Sequence, residues 1–438
     1  MIPDIALPFA MALAKLLGSV ALLMGAIAAI RWVGQRYGWD PEVSRKSVHV
    51  AIGLYAMALP VIFAEVWPVV ALLIVAIGIM IWLRLPGVRT SGLGATIHAV
   101  ERKSWGDIWL ALAIGFVFLR AEGNYILFGL PMAIITLSDS AAALTGSAYG
   151  RARFQVEAGM KSWEGVVAFF MVSVIVSMVM LLLLTDAPRA NVIILALAIA
   201  GFGAVVEAVS WRGLDNLFVP IGVHFFLVGY LFATPWELGA IALQFLGALF
   251  AVAVIARHVG LSVHASRAFV ITLFLFMGVS GVYGAIVPAL AIGAHLVARR
   301  RPAAGLHRDL DFIATLGATG LIWFFIGETI GPSALNFYNL GMAGLVLGLL
   351  LIGFEQRWWL ALAGLAAMLL AYLALLEFAP AYTVSIAYLP WVAAGSLLLV
   401  ICAVRLMPQW FDRWRTPRLA LAANAVPLGG YLAYVGMA

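Results

Sequence analysis

The chain has 438 residues, of which 65% are apolar and 11% are charged. An ordinary soluble domain carries charges on roughly a quarter of its residues, so this composition excludes a soluble globular protein. The formal net charge of +6 does not indicate nucleic-acid binding, because the basic residues lie in short segments between apolar blocks and do not line one polar face.

The first apolar block has no basic region before it and no clear cleavage site, which favours a retained first helix over a signal peptide. Blocks of this kind cross a hydrocarbon core as helices, because lipid cannot satisfy exposed backbone polar groups. We therefore predict an all-α fold, a polytopic integral membrane helical bundle of about sixteen transmembrane helices. The predicted spans lie near residues 6–30, 47–64, 66–83, 106–120, 124–148, 163–184, 190–209, 217–233, 237–256, 267–281, 283–298, 312–330, 339–354, 358–378, 384–404 and 418–436.

The basic residues are distributed unevenly between the two sides of this predicted bundle. With the N-terminus outside, 23 of the 26 Lys and Arg residues lie in the loops of one side. Loops rich in Lys and Arg face the cytoplasm. We therefore expect a multi-pass protein of a bacterial inner membrane whose basic loops are cytoplasmic.

Two polar runs lie beside the early spans. The run SRKSVH at 44–49 enters the second span, where Arg45 and His49 are four residues apart and would share a helical face. That face could present a cation and an imidazole to a phosphate, or it could be a basic anchor with one hydrogen-bonded histidine. The run ERKSWGD at 101–107 precedes the fourth span. Taken alone, it is typical of an interfacial loop with an aromatic anchor.

A third cluster begins with Asp139, in the cytoplasmic half of the fifth span. A lone carboxylate inside a span is costly without a metal ion or a cationic partner. Asp139 is therefore a candidate ligand, and a hydrogen-bonded packing role is the alternative. After a short basic loop, Lys161 and Glu164 lead into the sixth span.

The fourth cluster combines Glu207, near the end of the seventh span, with the run WRGLDNL at 211–217. Asp215 and Asn216 either cap the following helix or belong to a site. The predicted topology brings all four clusters to the cytoplasmic membrane surface. That surface meets nucleotides and magnesium on one side and lipid on the other, so their convergence there favours a shared site.

The ordered pieces SRKxxH with a following Gly53, ERKSxGD, DxxAAxxG running to KSxEG, and GLDNxxxP resemble the phytol kinase, farnesol kinase and dolichol kinase family. The resemblance covers about residues 40–235. It implies transfer of a phosphoryl group, commonly from CTP, to the hydroxyl of an isoprenoid alcohol in the membrane. One departure is Ser138, which stands where the family usually has a glycine before the aspartate.

Phosphoryl transfer depends on charge neutralisation and positioning, so carboxylates and cations should dominate the site. We assign Asp139 to Mg²⁺, with Asp215 or Glu207 as a second carboxylate on the metal side. The candidate base that accepts the alcohol proton is His49 or Glu164. The side chains expected to hold the triphosphate of CTP or another NTP are Arg45, Lys46, Lys161, Arg102, Lys103 and Asn216.

The chain divides into two predicted domains, a kinase-like transmembrane domain at 1–236 and an additional transmembrane domain of unassigned role at 237–438. The densest polar stretch of the second domain is the basic segment 299–311. We interpret it as a cytoplasmic loop with a capping aspartate, and contact with anionic lipid headgroups or the substrate phosphate is the alternative. A second polar group is expected in an interfacial loop, with a second ligand site as the alternative. Its members are Glu328, Asn336, Tyr338 and Asn339.

Two rival functions stay open from the sequence. A membrane cytidylyltransferase acting on a phospholipid or an isoprenoid phosphate would use CTP, magnesium and carboxylates as well, but it would release pyrophosphate. A lipid transporter or flippase would explain the many spans, although the inverted repeats common in such proteins are not evident. The expected partners are CTP or another NTP, an isoprenoid alcohol and membrane lipids, with no nucleic acid.

Overall fold

The computed structural model describes residues 3–84, 105–156, 159–280, 282–302, 304, 307–330, 334–355, 357–378 and 387–437. These residues are almost all helical, which confirms the predicted all-α polytopic membrane bundle. Among the described residues, nine helices are long and apolar enough to cross a membrane. Five shorter apolar helices accompany them within the same ranges. The chain is therefore a multi-pass membrane protein.

The chain forms two compact units, Met1–Gln244 and Phe245–Ala438, called unit 1 and unit 2 below. The predicted division into functional domains after residue 236 stays a prediction. The helices of unit 1 are α1 (Pro3–Tyr37), α2 (Pro41–Ile62), α3 (Val66–Leu83), α4 (Gly106–Arg120), α5 (Tyr125–Ala133), α6 (Asp139–Tyr149), α7 (Trp163–Leu184), α8 (Arg189–Val209) and α9 (Asp215–Tyr230), and α10 (Pro235–Val259) runs across the boundary.

Unit 2 contains a central helix, α14, that packs against five others in the same unit. The helices of this unit are α11 (Val263–Ser280), α12 (Ile286–Ala298), α13 (Arg308–Ile330), α14 (Ala334–Phe354), α15 (Trp358–Phe378), α16 (Leu389–Leu406) and α17 (Arg415–Met437). Short 3₁₀ turns at Val282–Ala285 and Pro408–Phe411 precede α12 and α17.

Side-chain caps determine where two helices of the candidate site begin. At the start of α2, a side-chain oxygen of Asp40 accepts a hydrogen bond from the Glu42 N–H at 2.7 Å, and Pro41 occupies the first helical position. At the start of α7, Ser162 Oγ accepts from the Gly165 N–H at 3.1 Å. Such caps satisfy N–H groups that have no partner within the helix. Because the cap sets the first residue of α2, the basic residues Arg45 and Lys46 lie in the first two turns of this helix.

The fifth predicted span is not one regular helix. Between α5 and α6 the chain makes a π-helical turn at Ile134–Ser138, and Asp139 follows directly as the first residue of α6. One-turn π segments inside helices occur frequently at functional sites, because they re-aim the side chains that follow.

The expected basic loop before the sixth span is a two-stranded antiparallel hairpin. Strand β1 (Arg153–Val156) pairs with β2 (Gly159–Ser162), and Phe154 lies opposite Lys161 in the register. The rings of Phe154 and Trp163 lie 5.0 Å apart and support the base of the hairpin. The hairpin therefore gives Lys161 a fixed place beside the start of α7.

Candidate active site

Three carboxylates from distant parts of unit 1 meet at one place. Asp139 begins α6, Glu207 lies in the last turn of α8, and Asp215 begins α9. One oxygen of each lies within 4.8 Å of an oxygen of the others. Asp139 is 5% exposed and Glu207 is 9% exposed. The three residues to which the sequence assigns metal binding thus form one largely buried cluster, here called the carboxylate cluster.

Asp139 has two partners on α2. Lys46 Nζ lies 2.5 Å from Asp139 Oδ2, and His49 Nε2 lies 3.3 Å from the same oxygen. Lys46 and His49 are three residues apart, so they share a helical face. Lys46 itself is buried, with 3% exposure. A buried carboxylate needs such a cationic partner to offset its loss of hydration.

The neighbours of His49 determine which ring nitrogen carries a proton. His49 Nε2 lies 3.1 Å from the backbone carbonyl oxygen of Ile135 and 3.3 Å from Asp139 Oδ2. Both neighbours accept hydrogen bonds, so Nε2 must be the donor. In the neutral imidazole the lone pair is then on Nδ1. If His49 takes up a proton, it does so at Nδ1 and not at the nitrogen that faces Asp139.

Lys161 is tied to the second carboxylate of the cluster. Its Nζ donates to Glu207 Oε1 at 2.8 Å, to Ser210 Oγ at 2.9 Å and to the backbone carbonyl oxygen of Glu207. Burial acts to lower the pKa of Lys161, but the charge of Glu207, followed by that of Asp215, raises this pKa above its ordinary value. Lys161 therefore keeps its positive charge at neutral pH.

Several oxygens of the site lack a hydrogen-bond partner in the part of the chain that the structure describes. They are Glu207 Oε2, Asp215 Oδ1 and the side-chain oxygen of Asn216, all buried. Leaving a buried acceptor unpaired costs about 1–3 kcal/mol, and more for a charged one. Mg²⁺ prefers oxygen ligands and takes one or two protein carboxylates together with substrate phosphates. The donor set at this place fits such a cation.

Close helix packing places α2 and α7 against the π-helical turn and α6. A Cβ atom added at Gly53 would collide with the side chain of Thr136, and one added at Gly165 would lie 2.8 Å from the Ala142 carbonyl oxygen. Ser138, the departure from the usual family glycine, is fully buried and accepts a hydrogen bond from Ser173 Oγ at 2.9 Å. The serine is therefore accommodated without displacing Asp139.

The loop between α8 and α9 connects two of the sequence clusters. Arg212 and Gly213 have positive φ angles of 53° and 80°, a turn that brings Asp215 back beside the end of α8. The Trp105 N–H donates to the Arg212 carbonyl oxygen at 3.2 Å, and Asn216 Nδ2 donates to the Gly106 carbonyl oxygen at 2.9 Å. The WGD end of the second cluster thus supports the loop that carries Asp215.

The comparison with known proteins identifies the family of the chain. The chain is 30% identical over 223 residues to a phytol kinase from Synechocystis sp., an alignment that covers 49% of this chain and 91% of that protein. The chain belongs to the phytol kinase family. No family model matches it, and no solved structure matches it. About half of the present chain lies outside the residues aligned with that phytol kinase.

Some residues expected at the site of this phytol kinase family member lie elsewhere or have other partners. Arg45 pairs with Glu42 at 2.5 Å on its own helix. Lys46, and not Arg45, pairs with Asp139 beside His49. Glu164 is not part of the carboxylate cluster. Its Oε1 accepts from the Arg151 N–H at 3.1 Å and the Ala152 N–H at 2.9 Å. The two weaker phosphate candidates, Arg102 and Lys103, lie outside the described residues.

Two members of the site were not singled out from the sequence. Ser210 binds Lys161, and Glu42 binds Arg45. In each case a spacing of three residues was the available signal, because Ser210 follows Glu207 by three and Glu42 precedes Arg45 by three. This spacing occurs too often in helical sequences to identify a functional residue by itself.

Proposed function

We propose that this chain is a membrane kinase that transfers a phosphoryl group from a nucleoside triphosphate, with CTP as the leading donor, to the hydroxyl of an isoprenoid alcohol. The observation that carries the proposal is the convergence of Asp139, Glu207 and Asp215 with Lys46 and Lys161 at one place. Membership of the phytol kinase family supports the acceptor class.

The carboxylate cluster would hold Mg²⁺. Three carboxylates that converge within 4.8 Å offer the oxygen ligands that Mg²⁺ prefers, and a bound cation would offset their mutual repulsion. When bound, Mg²⁺ would offset the charge of the phosphate oxygens. The unpaired oxygens of Glu207 and Asp215 are the available ligands, together with Asp139.

The cations around the cluster would hold the triphosphate. Lys161 is fixed by Glu207 and Ser210, and its raised pKa keeps it charged. Arg45 is partly exposed, with 38% of its side chain accessible, so it can turn from Glu42 toward a phosphate. A preorganised set of cations is the main protein contribution to phosphoryl transfer.

In the proposed step, the alcohol oxygen forms a bond to the γ-phosphorus and the bond from that phosphorus to the bridging oxygen breaks. The products are the alcohol monophosphate and the nucleoside diphosphate, and the alcohol proton passes to a base. We assign this base to His49, acting through Nδ1, because Nε2 donates toward Asp139 and Ile135. Glu164 is the weaker choice, since two backbone N–H groups occupy its Oε1.

The proposed site would face the cytoplasm of a bacterial inner membrane. The clusters that form it border the loops that carry the basic residues, and basic loops are retained on the cytoplasmic side. A site at this surface has access to nucleotide from water and to an alcohol dissolved in the bilayer.

The test is a transfer assay with the purified full chain in detergent. It is incubated with Mg²⁺, γ-labelled CTP or ATP, and phytol, farnesol, geranylgeraniol or a long polyprenol in turn. We expect labelled alcohol monophosphate and unlabelled nucleoside diphosphate. With an isoprenoid phosphate as the acceptor in a parallel sample, release of labelled pyrophosphate would instead select the cytidylyltransferase. Absence of any phosphorylated alcohol across the panel would contradict the proposal.

A matched pair of variants controls this assay. Asp139→Asn removes one charge from the carboxylate cluster, and Asp186→Asn removes one from an exposed residue just beyond the other end of α7. Product should be lost in the first variant and retained in the second. Equal loss in both would point to a general effect of charge or handling and would remove the support for the cluster.

A further inference from the structure

The first two turns of α14 carry three polar side chains inside unit 2, here called the α14 polar set: Asn336, Tyr338 and Asn339. Their exposed fractions are 0%, 5% and 3%. The sequence had favoured an interfacial loop for these residues, and this is wrong, since they lie in a helix surrounded by five others. Polar residues inside a membrane bundle are costly and commonly mark a functional site.

Two members of the α14 polar set, Tyr338 and Asn339, have polar atoms without a partner among the described residues. Asn336 Oδ1 accepts from the Tyr372 hydroxyl at 3.4 Å. The Tyr338 hydroxyl and both polar atoms of the Asn339 amide are buried and have no hydrogen-bond partner among the residues that the structure describes. Each unsatisfied group of this kind in a folded protein requires an explanation, such as a bound molecule or an ordered water.

Two other asparagines of the chain, one partly buried and one buried, show the usual arrangement. Asn424 accepts from Trp323 Nε1 at 2.7 Å and donates to the Ala420 carbonyl oxygen at 2.8 Å. Asn191 donates to the Ala233 carbonyl oxygen at 2.6 Å. These amides tie helices or turns together. Asn339 is as buried as Asn191, each with 3% exposure, but its amide has no hydrogen-bond partner among the residues described.

One aromatic ring, that of Phe276, packs beside the α14 polar set, and a separate aromatic group packs on Phe337, which lies between its members in the chain. The Phe276 ring lies 5.9 Å from that of Tyr338, and the neighbouring Phe337 ring lies 6.4 Å from Trp323 and 5.3 Å from Tyr431. Amide and phenol groups both donate and accept hydrogen bonds, as an alcohol does. Aromatic rings offer an apolar surface to the chain that carries such a headgroup.

We propose that Tyr338 and Asn339 form a binding site in unit 2 for the neutral hydroxyl headgroup of an amphiphile dissolved in the membrane, of the isoprenoid alcohol class. A neutral headgroup is favoured because the described side chains that contact Tyr338 and Asn336 are those of Phe276 and Tyr372, both uncharged, and a charged ligand would need a counter-charge. The choice of an isoprenoid alcohol rests on the proposed kinase function, whereas the neutral hydroxyl class rests on the α14 polar set alone.

The test is photolabelling of the full chain in detergent with geranylgeraniol that carries a diazirine. The protein carries Asp139→Asn, so that labelling is read without turnover. We expect labelled peptides from α14 or the helices that pack on it, with competition by unlabelled geranylgeraniol. Adding Asn339→Leu should reduce this labelling about tenfold, since the amide can form two hydrogen bonds with a hydroxyl.

Thermal unfolding separates binding from a structural role. Asn339→Leu removes an unsatisfied amide, so without ligand it should unfold at the same temperature as its parent or a higher one. The matched control, Asn191→Leu, breaks a satisfied bond in unit 1 and should lower the unfolding temperature while leaving the unit 2 labelling unchanged.

Three results would overturn the inference. One is labelling confined to unit 1, another is unit 2 labelling unaffected by Asn339→Leu, and the third is a clearly lower unfolding temperature for Asn339→Leu, which an amide satisfied by buried water would give. None of these bears on the transfer assay. If the chain with Asp139 intact formed no phosphorylated alcohol in the transfer assay while labelling of unit 2 persisted, the kinase proposal would be contradicted and the site in unit 2 would stand.

Discussion

Each unit contains acidic residues paired with cations, but the two sets use their oxygens differently. In unit 2, Asp309 Oδ1 lies 2.9 Å from His295 Nε2 and Oδ2 lies 2.8 Å from Arg299 Nη1, so both oxygens are satisfied. In unit 1, Glu207 and Asp215 each retain a buried oxygen that has no hydrogen-bond partner within the described ranges. The comparison teaches that saturation, and not burial or charge alone, separates a structural ion pair from a candidate ligand site.

The strongest way to break this comparison is Asp139→Asn. The change removes a carboxylate from the carboxylate cluster and leaves Lys46 without its partner charge. We expect kcat to fall by about a thousandfold or more, the scale of losing a group that stabilises the transition state. The measurement is labelled alcohol monophosphate per unit time at saturating substrates. Activity within a few-fold of the parent would remove Asp139 from the proposed site.

The next effect concerns His49. His49→Gln retains an N–H donor near Asp139 and Ile135 but has no basic nitrogen. A lost general base costs about 10²–10⁴ in rate, so we expect kcat to fall by about a hundredfold or more and the acidic limb of the pH–rate profile to disappear. KM for the nucleotide should change little. If His49 only positions Asp139, the His49→Gln variant would keep a near-normal kcat and an unchanged pH–rate profile.

A smaller effect is expected at Gly53, where α2 approaches the π-helical turn. In Gly53→Ala, the added Cβ meets the Thr136 side chain, and overpacking of this kind costs about 1–3 kcal/mol. We expect a lower unfolding temperature and activity reduced about tenfold as α2 moves away from Asp139. The double variant Gly53→Ala with Thr136→Ala should recover much of both, because the two changes are coupled through one contact. Purely additive losses would contradict this account.

The smallest effect is predicted for Asp309, the carboxylate of unit 2 whose two oxygens both have partners. Asp309→Asn weakens the pairs with His295 and Arg299, so the unfolding temperature should fall by about 2–4 °C, the shift that 1 kcal/mol produces in a unit of this size. Phosphoryl transfer at a temperature where the variant is folded should equal that of the parent. A loss of kcat comparable to that of Asp139→Asn would show that saturation does not separate the two kinds of site.

The sequence predicted the fold class well, and it did less well on local detail. Hydropathy identifies spans because lipid requires helices. The π-helical turn before Asp139 and the hairpin that carries Lys161 were not predicted. Both depend on neighbours distant in sequence, since Thr136 of the turn faces Gly53 of α2, and Lys161 of the hairpin binds Glu207.

Helical spacing alone also did not show which cation of α2 would pair with Asp139. A spacing of four favoured Arg45, whereas Lys46, three residues before His49, reaches Asp139. Both spacings place residues on neighbouring faces of a helix. The rotation of α2 about its own axis decides which of them faces Asp139, and in this orientation Gly53 of the same helix faces Thr136.

The sequence by itself determined that the chain is an all-α membrane protein with polar clusters at the ends of its spans. Charged side chains and unpaired backbone groups are costly in lipid, so long apolar segments must be helices and polar residues gather at their ends. Tertiary structure decided which of these clusters meet, since Asp139, Glu207 and Asp215 come from three helices. It also decided which polar atoms stay unpaired, as at Asn339. Satisfaction of a polar group depends on its neighbours in space, and these are fixed only when the helices pack.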